Sequence, residues 1–229
     1  MTRWFSIPPV NYLEMMRDWH THMVIAPHLL HSDEYLIFYA NNSHLYTMLD
    51  NGLWEGEVVS NAKLLLLAQT INANEIIAPD HESGKITINR TTKFLDFLGK
   101  DRYKYKIHGA IHGKNYDEQL QCLEALMELD IDIFDMPKML GPENRFKLRD
   151  HLITHRTDPQ IHFLGYYKEE WDLLKQGHSI RSFDTSVPFK PNYGDKFDLN
   201  LPYNWWTYLK FKYRVAKWER MFHDWKTTA

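Results

Sequence analysis

The chain is nearly free of cysteine. Its 229 residues include one, Cys122, which rules out an internal disulfide and any cysteine-rich zinc site and fits a reducing compartment. Long apolar runs are absent too. None approaches the roughly 18 residues that span a bilayer, and MTRWFSIPPVNYLEMMRDWH at the start lacks the apolar core of a secretory signal. Charge of one sign is not in excess: the formal net charge is −3 with His neutral, so the chain as a whole does not advertise a nucleic-acid binder. These absences lead us to expect a soluble cytoplasmic protein with no membrane partner.

What is present is unevenly placed. The aromatic share of 14% is concentrated near the end, with Tyr203, Trp205, Trp206, Tyr208, Phe211, Tyr213, Trp218, Phe222 and Trp225. The same stretch carries Lys210, Lys212, Arg214, Lys217, Arg220 and Lys226 against only Glu219 and Asp224. A helix there would bury Leu209, Val215, Trp218 and Phe222 as one apolar stripe and turn its lysines outward. Such a basic, aromatic face suits phosphates and stacked bases.

Between these ends a strand–helix rhythm runs along the chain. HMVIAPHLL and EYLIFYAN read as β-rich apolar runs, and LYTMLDNG ends in an Asn-Gly turn signal. SNAKLLLLAQTIN is helical with Ser60 as N-cap, EIIAPD is a short strand and TTKFLDFLGKD a helix. YKIHGAIHG, IDIFDMP, QIHFLGY and IRSFDTS are further strands; the helices YDEQLQCLEALMELD, NRFKLRDHLITHR and KEEWDLLKQG alternate with them. Parallel strands need crossover helices, so this alternation predicts a parallel sheet. We expect an α/β fold, a (β/α)8 TIM-type barrel that is compact or partly irregular, with an open doubly wound sheet as second choice. The whole chain, 1–229, reads as one domain: an N-terminal segment 1–22, a barrel core 23–189, and a loop and basic aromatic C-terminal helix over 190–229.

In such barrels chemistry sits at the C-terminal ends of the strands. The ends here are Asp50, Asp80, His112 with Gly113, Asp135 to Pro137, Gly165 and Asp184. One aspartate after a strand makes a turn or a cap. Several converging on one face point to an active site, and two opposed carboxylates are what glycosyl chemistry needs.

Six segments carry a family resemblance: LDNGLWEG, EIIAPD, GAIHG, DIFDMPKMLG, IHFLGY and IRSFDTSVPF. In order and spacing they resemble the tRNA-guanine transglycosylase superfamily, most of all its short phage and DNA-modification branch, the DpdA type. The resemblance implies base exchange in DNA, in which guanine is replaced by a 7-deazaguanine such as preQ0. Asp184 would be the nucleophile at C1′ and Asp50 the general acid/base. Asp80 would read the donor edge of the base, with His112, Gly113, Gly165 and Asn51 around it. Lys210, Lys212, Arg214, Lys217 and Arg181 would hold nucleic acid. No cofactor and no metal are implied, and relatives that pair suggest a homodimer. The match has departures. His112 replaces the family's glutamine, Met136 and Pro137 replace paired glycines, and one cysteine cannot build the zinc subdomain of the tRNA enzymes.

Three other readings stay open. One is a tRNA-acting transglycosylase. Another is a metal-dependent barrel hydrolase built on Asp18, His20 and His22 of DWHTHM, completed by His28, His31, His108 or His162. The third is a non-catalytic nucleic-acid-binding partner subunit. Cys122 reads as an inert residue on the apolar side of its helix.

Overall fold

The computed structural model describes residues 2–17, 19, 21–57, 59–170, 172, 174, 180–190 and 201–223. Eight parallel strands close into a barrel in sequence order: β1 Arg3–Ser6, β2 Thr21–Ile25, β3 Tyr46–Asp50, β4 Glu75–Ile77, β5 Lys106–Ala110, β6 Ile133–Pro137, β7 Gln160–Leu164 and β8 Ser182–Thr185. Closure runs through β1 and β8, where Phe5 stands opposite Asp184. The helices described along their length are α1 Ala26–His31, α2 Asp33–Asn41, α3 Asn61–Thr70, α4 Gly84–Leu98, α5 Tyr116–Met127, α6 Pro142–His155 and α7 Trp205–His223. The fold is a (β/α)8 barrel, and none of its described helices is long and apolar enough to cross a membrane.

Strand parity divides the core in two. Phe5, Met23, Ile25, Met48 and Ile77 fill part of the barrel interior. Their alternates Trp4, Val24, Leu49, Ile76, Phe134, Ile161 and Phe183 face the helices in the larger cluster. Successive strand side chains point to opposite faces, so both faces must be apolar, and the strands read as continuous hydrophobic runs. The rest of the interior is polar: Glu75, His108, Asp135, His162 and Ser182 are all fully buried.

Several boundaries differ from the sequence reading. EYLIFYAN is helix α2, not a strand run. Ser32 caps it by accepting from Tyr35 N–H at 3.2 Å, and Tyr35, Phe38 and Tyr39 bury one helical face. HMVIAPHLL is strand only to Ile25, because Pro27 opens α1 in its first turn. The barrel begins at Arg3, inside the segment expected to precede its core. On α7 the inward residues are Phe211, Val215 and Trp218, while Leu209 is exposed. Trp218 packs on Trp4 and Phe183, and Phe211 on Tyr12 and Phe189. The expected end of KEEWDLLKQG at Gly177 lies outside the described residues.

Candidate functional site

At the C-terminal mouth of the barrel a cavity of about 290 Å3 is lined by the carboxylates Asp50, Glu55, Asp80, Glu82 and Asp184. Its walls include Ile7, Met23, Ile25, Met139 and Leu164, and His112 and Lys138 reach it as well. The side chains at 50, 80 and 184, far apart in the chain, thus meet around one cavity. They do so because each follows or ends a parallel strand, and parallel strands deliver all their C-terminal ends to the same face.

The carboxyls differ in environment. Asp184 Oδ1 accepts from Gly165 N–H at 2.9 Å and lies 3.3 Å from His162 Nε2. Gly165 takes φ +69 to aim its amide there, a conformation that glycine adopts without strain. Asp50 is 8% exposed. Desolvation pushes its carboxyl well above the usual carboxylate range, helped by the charges of Glu55, Asp80, Asp184 and Asp135. Asp80 Oδ2 and His112 Nε2 are 2.7 Å apart, and the other polar atom of each, Asp80 Oδ1 and His112 Nδ1, is buried without a partner among the described residues.

Two buried ionic clusters brace this mouth. Behind β7, Arg145 donates to Gly165 O at 3.0 Å and to Glu170 Oε2 at 3.1 Å, and Glu170 also accepts from Tyr167 N–H at 2.7 Å. Arg145 lies 3.9 Å over the Phe163 ring and is fully buried. Desolvation lowers its guanidinium to about 10 although Glu170 opposes the shift. Beneath the cavity, His108 sits between Glu75 Oε2 at 2.9 Å and Asp135 Oδ1 at 2.7 Å. Burial disfavours the imidazolium, but the two carboxylates outweigh it and raise His108 to about 9. Glu75 is correspondingly depressed despite its own burial, chiefly through His108 and Arg181.

The remaining candidates have other placements. Asn51 donates to Ala78 O at 3.1 Å and ties β3 to the end of β4. A Cβ at Gly113 would come 2.7 Å from Gln119 N, so this glycine packs against the start of α5. Arg181 grips Glu75 at the barrel floor, opposite the mouth. Lys210, Lys212 and Lys217 are exposed on α7, and Arg214 donates to Lys190 O.

Of the proposed metal ligands, Asp18 and His20 lie outside the described residues. His22 meets Tyr39 Oη and Trp19 O, each at 3.0 Å, so it faces α2 and not the barrel interior. His31 meets Glu57 on the surface, His28 packs on Tyr35, and His108 and His162 belong to the interior network. Among the described residues no cluster of three or more His, Cys, Asp or Glu is arranged to hold a metal ion. Sequence reasoning missed the roles of Arg145, Glu170 and Glu75. A charged residue in an otherwise apolar strand or helix face was the only available signal.

No protein-family model matches the chain and no curated protein matches it. Solved structures do. The 2-keto-3-deoxy-6-phosphogluconate aldolase of Zymomonas mobilis ZM4 is similar with TM-score 0.53 and 13% identity, over 94% of this chain and 88% of that one. The aldolase of the same name from Zymomonas mobilis ATCC 29191 gives 0.52 and 12% over 92% and 90%. Native KDPGal gives 0.50 and 10% over 97% and 95%. At these identities the likeness establishes the barrel fold. It also corrects the expected family. The similar structures are aldolase barrels, so the membership in the tRNA-guanine transglycosylase superfamily, the guanine-for-7-deazaguanine exchange in DNA, its tRNA variant and the pentosyltransferase class are withdrawn. The metal-hydrolase alternative finds no support either. The physical reason is that the six resembling segments are strand ends and strand-following turns, where any barrel of this class collects aspartates and glycines. Their order follows from the topology. Asp80, cast as reader of a base edge, already has one oxygen engaged by His112.

Proposed function

We propose that the chain is an enzyme that moves protons on a small, non-phosphorylated carbonyl or hydroxyl compound, in chemistry of the lyase or isomerase type. The observation that carries this reading is the contrast between Asp50 and Asp184 in one cavity. Asp50 is held toward its neutral form by desolvation and neighbouring carboxylates, whereas Asp184 accepts a backbone N–H. Two carboxyls whose environments separate them in this way divide into an acid and a base. Asp184 takes a proton from the carbon next to a carbonyl, and Asp50 gives one to the oxygen on which charge develops. The apolar walls exclude water and strengthen both interactions.

Cavity size and charge narrow the substrate. About 290 Å3 lies near the lower edge of ligand pockets, roughly 300 Å3. Five acidic side chains against one lysine disfavour a phosphate, in contrast to the phosphorylated compound for which the neighbouring aldolases are named. A neutral or cationic molecule rich in hydrogen-bond donors suits the unpartnered Asp80 Oδ1.

A second reading rests on Lys138, which follows β6 and lines the cavity with its Nζ 4.9 Å from the Tyr167 ring centre. A lysine amine at this position can form a Schiff base with a carbonyl substrate. Both readings are tested on a panel of small aldehydes, ketones and 2-keto acids in deuterated water. The first predicts protein-dependent deuterium uptake beside the carbonyl that is lost in Asp184→Asn and Asp50→Asn. The second predicts a borohydride-trapped adduct on Lys138. Uptake that survives both aspartate substitutions would sink the acid–base assignment, and an absence of trapped adduct with every carbonyl removes the lysine.

A further inference from the structure

The Asp184 carboxylate is the end of a hydrogen-bond chain that starts at the barrel floor. Arg181 grips Glu75 with both of its terminal nitrogens, and Arg181 Nη1 also lies 3.2 Å from Ser182 Oγ. Ser182 Oγ lies 2.8 Å from His162 Nδ1, and His162 Nε2 lies 3.3 Å from Asp184 Oδ1. Glu75, His162 and Ser182 are all fully buried.

A guanidinium only donates, so Ser182 Oγ accepts from Arg181. The hydroxyl keeps a second lone pair and its own proton, so its link to His162 can run either way. An Asp184 carboxylate, as the base of the proposed reaction, has no proton to give, so His162 Nε2 donates to it. In a neutral ring Nδ1 is then bare and accepts the Ser182 proton. Gly165 N–H falls on the same Asp184 oxygen, which leaves Oδ2 for the cavity. The groups facing the His162 ring agree with this order. The His108 ring stands 5.7 Å away on β5 and the Phe5 ring 5.8 Å away edge-on from β1, while Asp135 is its register partner on β6. His108 already engages Asp135.

We propose that His162 is a positioning residue, held between the Ser182 hydroxyl and the Asp184 carboxylate in the tautomer with its proton on Nε2, and that it turns Asp184 Oδ2 toward the cavity as an acceptor. This inference deepens the acid–base reading and rests on it for the role of Asp184 as base. The tautomer itself can be read without substrate. In protein labelled with 15N-histidine and assigned through the backbone, His162 is expected to show an unprotonated Nδ1 and a protonated Nε2 at neutral pH. Ser182→Ala is expected to lose this single tautomer, and Ser182→Thr, which keeps the hydroxyl, to restore it. A native His162 that is protonated on Nδ1, or doubly protonated, overturns the proposal, as does an unchanged pattern in Ser182→Ala. If Ser182→Ala does not fold, the native spectrum alone decides. If the tautomer is as stated but Asp184→Asn leaves deuterium uptake intact, the positioning stands and the acid–base reading fails.

Discussion

Stability should fall steeply above neutral pH because of one histidine. His108 is fully buried between Glu75 and Asp135 and is raised from the ordinary 6.5 to about 9. A group whose proton is held more tightly in the folded chain stabilises the fold fully below its unfolded value. That contribution is lost as pH rises through the folded value. The window is therefore pH 6.5 to about 9. Each decade of proton affinity is worth about 1.4 kcal/mol, so the loss across the window is about 3 kcal/mol. The depression of Glu75 reports the same contacts and is not added to it, because the proton belongs to the group of three. Urea unfolding followed by tryptophan fluorescence at pH 6.5, 7.5, 8.5 and 9 should show the fall. His108→Gln should flatten the slope whatever its overall stability. Equal slopes in both proteins refute the reasoning, as does a 15N titration that finds native His108 neutral at pH 8.

Three further outcomes follow from buried geometry. Arg145→Leu leaves the Glu170 charge buried and should cost about 3–5 kcal/mol, on the order of 10 °C in Tm, while Arg145→Leu with Glu170→Leu should recover most of it; differential scanning calorimetry checks both. Burial pushes the Cys122 thiol up to about 11; its reaction with Ellman's reagent at pH 8 should be roughly 100-fold slower in the native than in the denatured protein. Gly52 has φ +85 and a Cβ there would come 2.4 Å from the Pro27 ring, whereas Gly56 at φ +72 has open space. Gly52→Ala should therefore cost about 2 kcal/mol or more and Gly56→Ala about 1 kcal/mol in chemical denaturation.

The alternation of apolar runs with amphipathic helices made the barrel legible, because each period maps onto one face of one element. The same rule placed Asp50, Asp80 and Asp184 together, since strand ends share a face. EYLIFYAN misled because its aromatics suit a strand as well as a helix, and only the Ser32 cap and the i, i+3, i+4 burial decide between them. The floor network was not legible, as Glu75, Arg181 and Ser182 gain their meaning from pairing across strands that are far apart in sequence. The family resemblance failed for a related reason. Short motifs at strand ends report the barrel's topology and leave its chemistry open, which here depends on partners such as His112 on Asp80.

The account stands on the carboxyls of the mouth being unequal, with Asp50 neutral where Asp184 is an acceptor. Carboxyl 13C NMR of aspartate-labelled protein, with the two resonances assigned through Asp50→Asn and Asp184→Asn, tests this directly. The Asp50 resonance should titrate at clearly higher pH than the surface aspartates, because burial and the neighbouring carboxylates hold its proton. An Asp50 that titrates together with the surface aspartates would contradict the account.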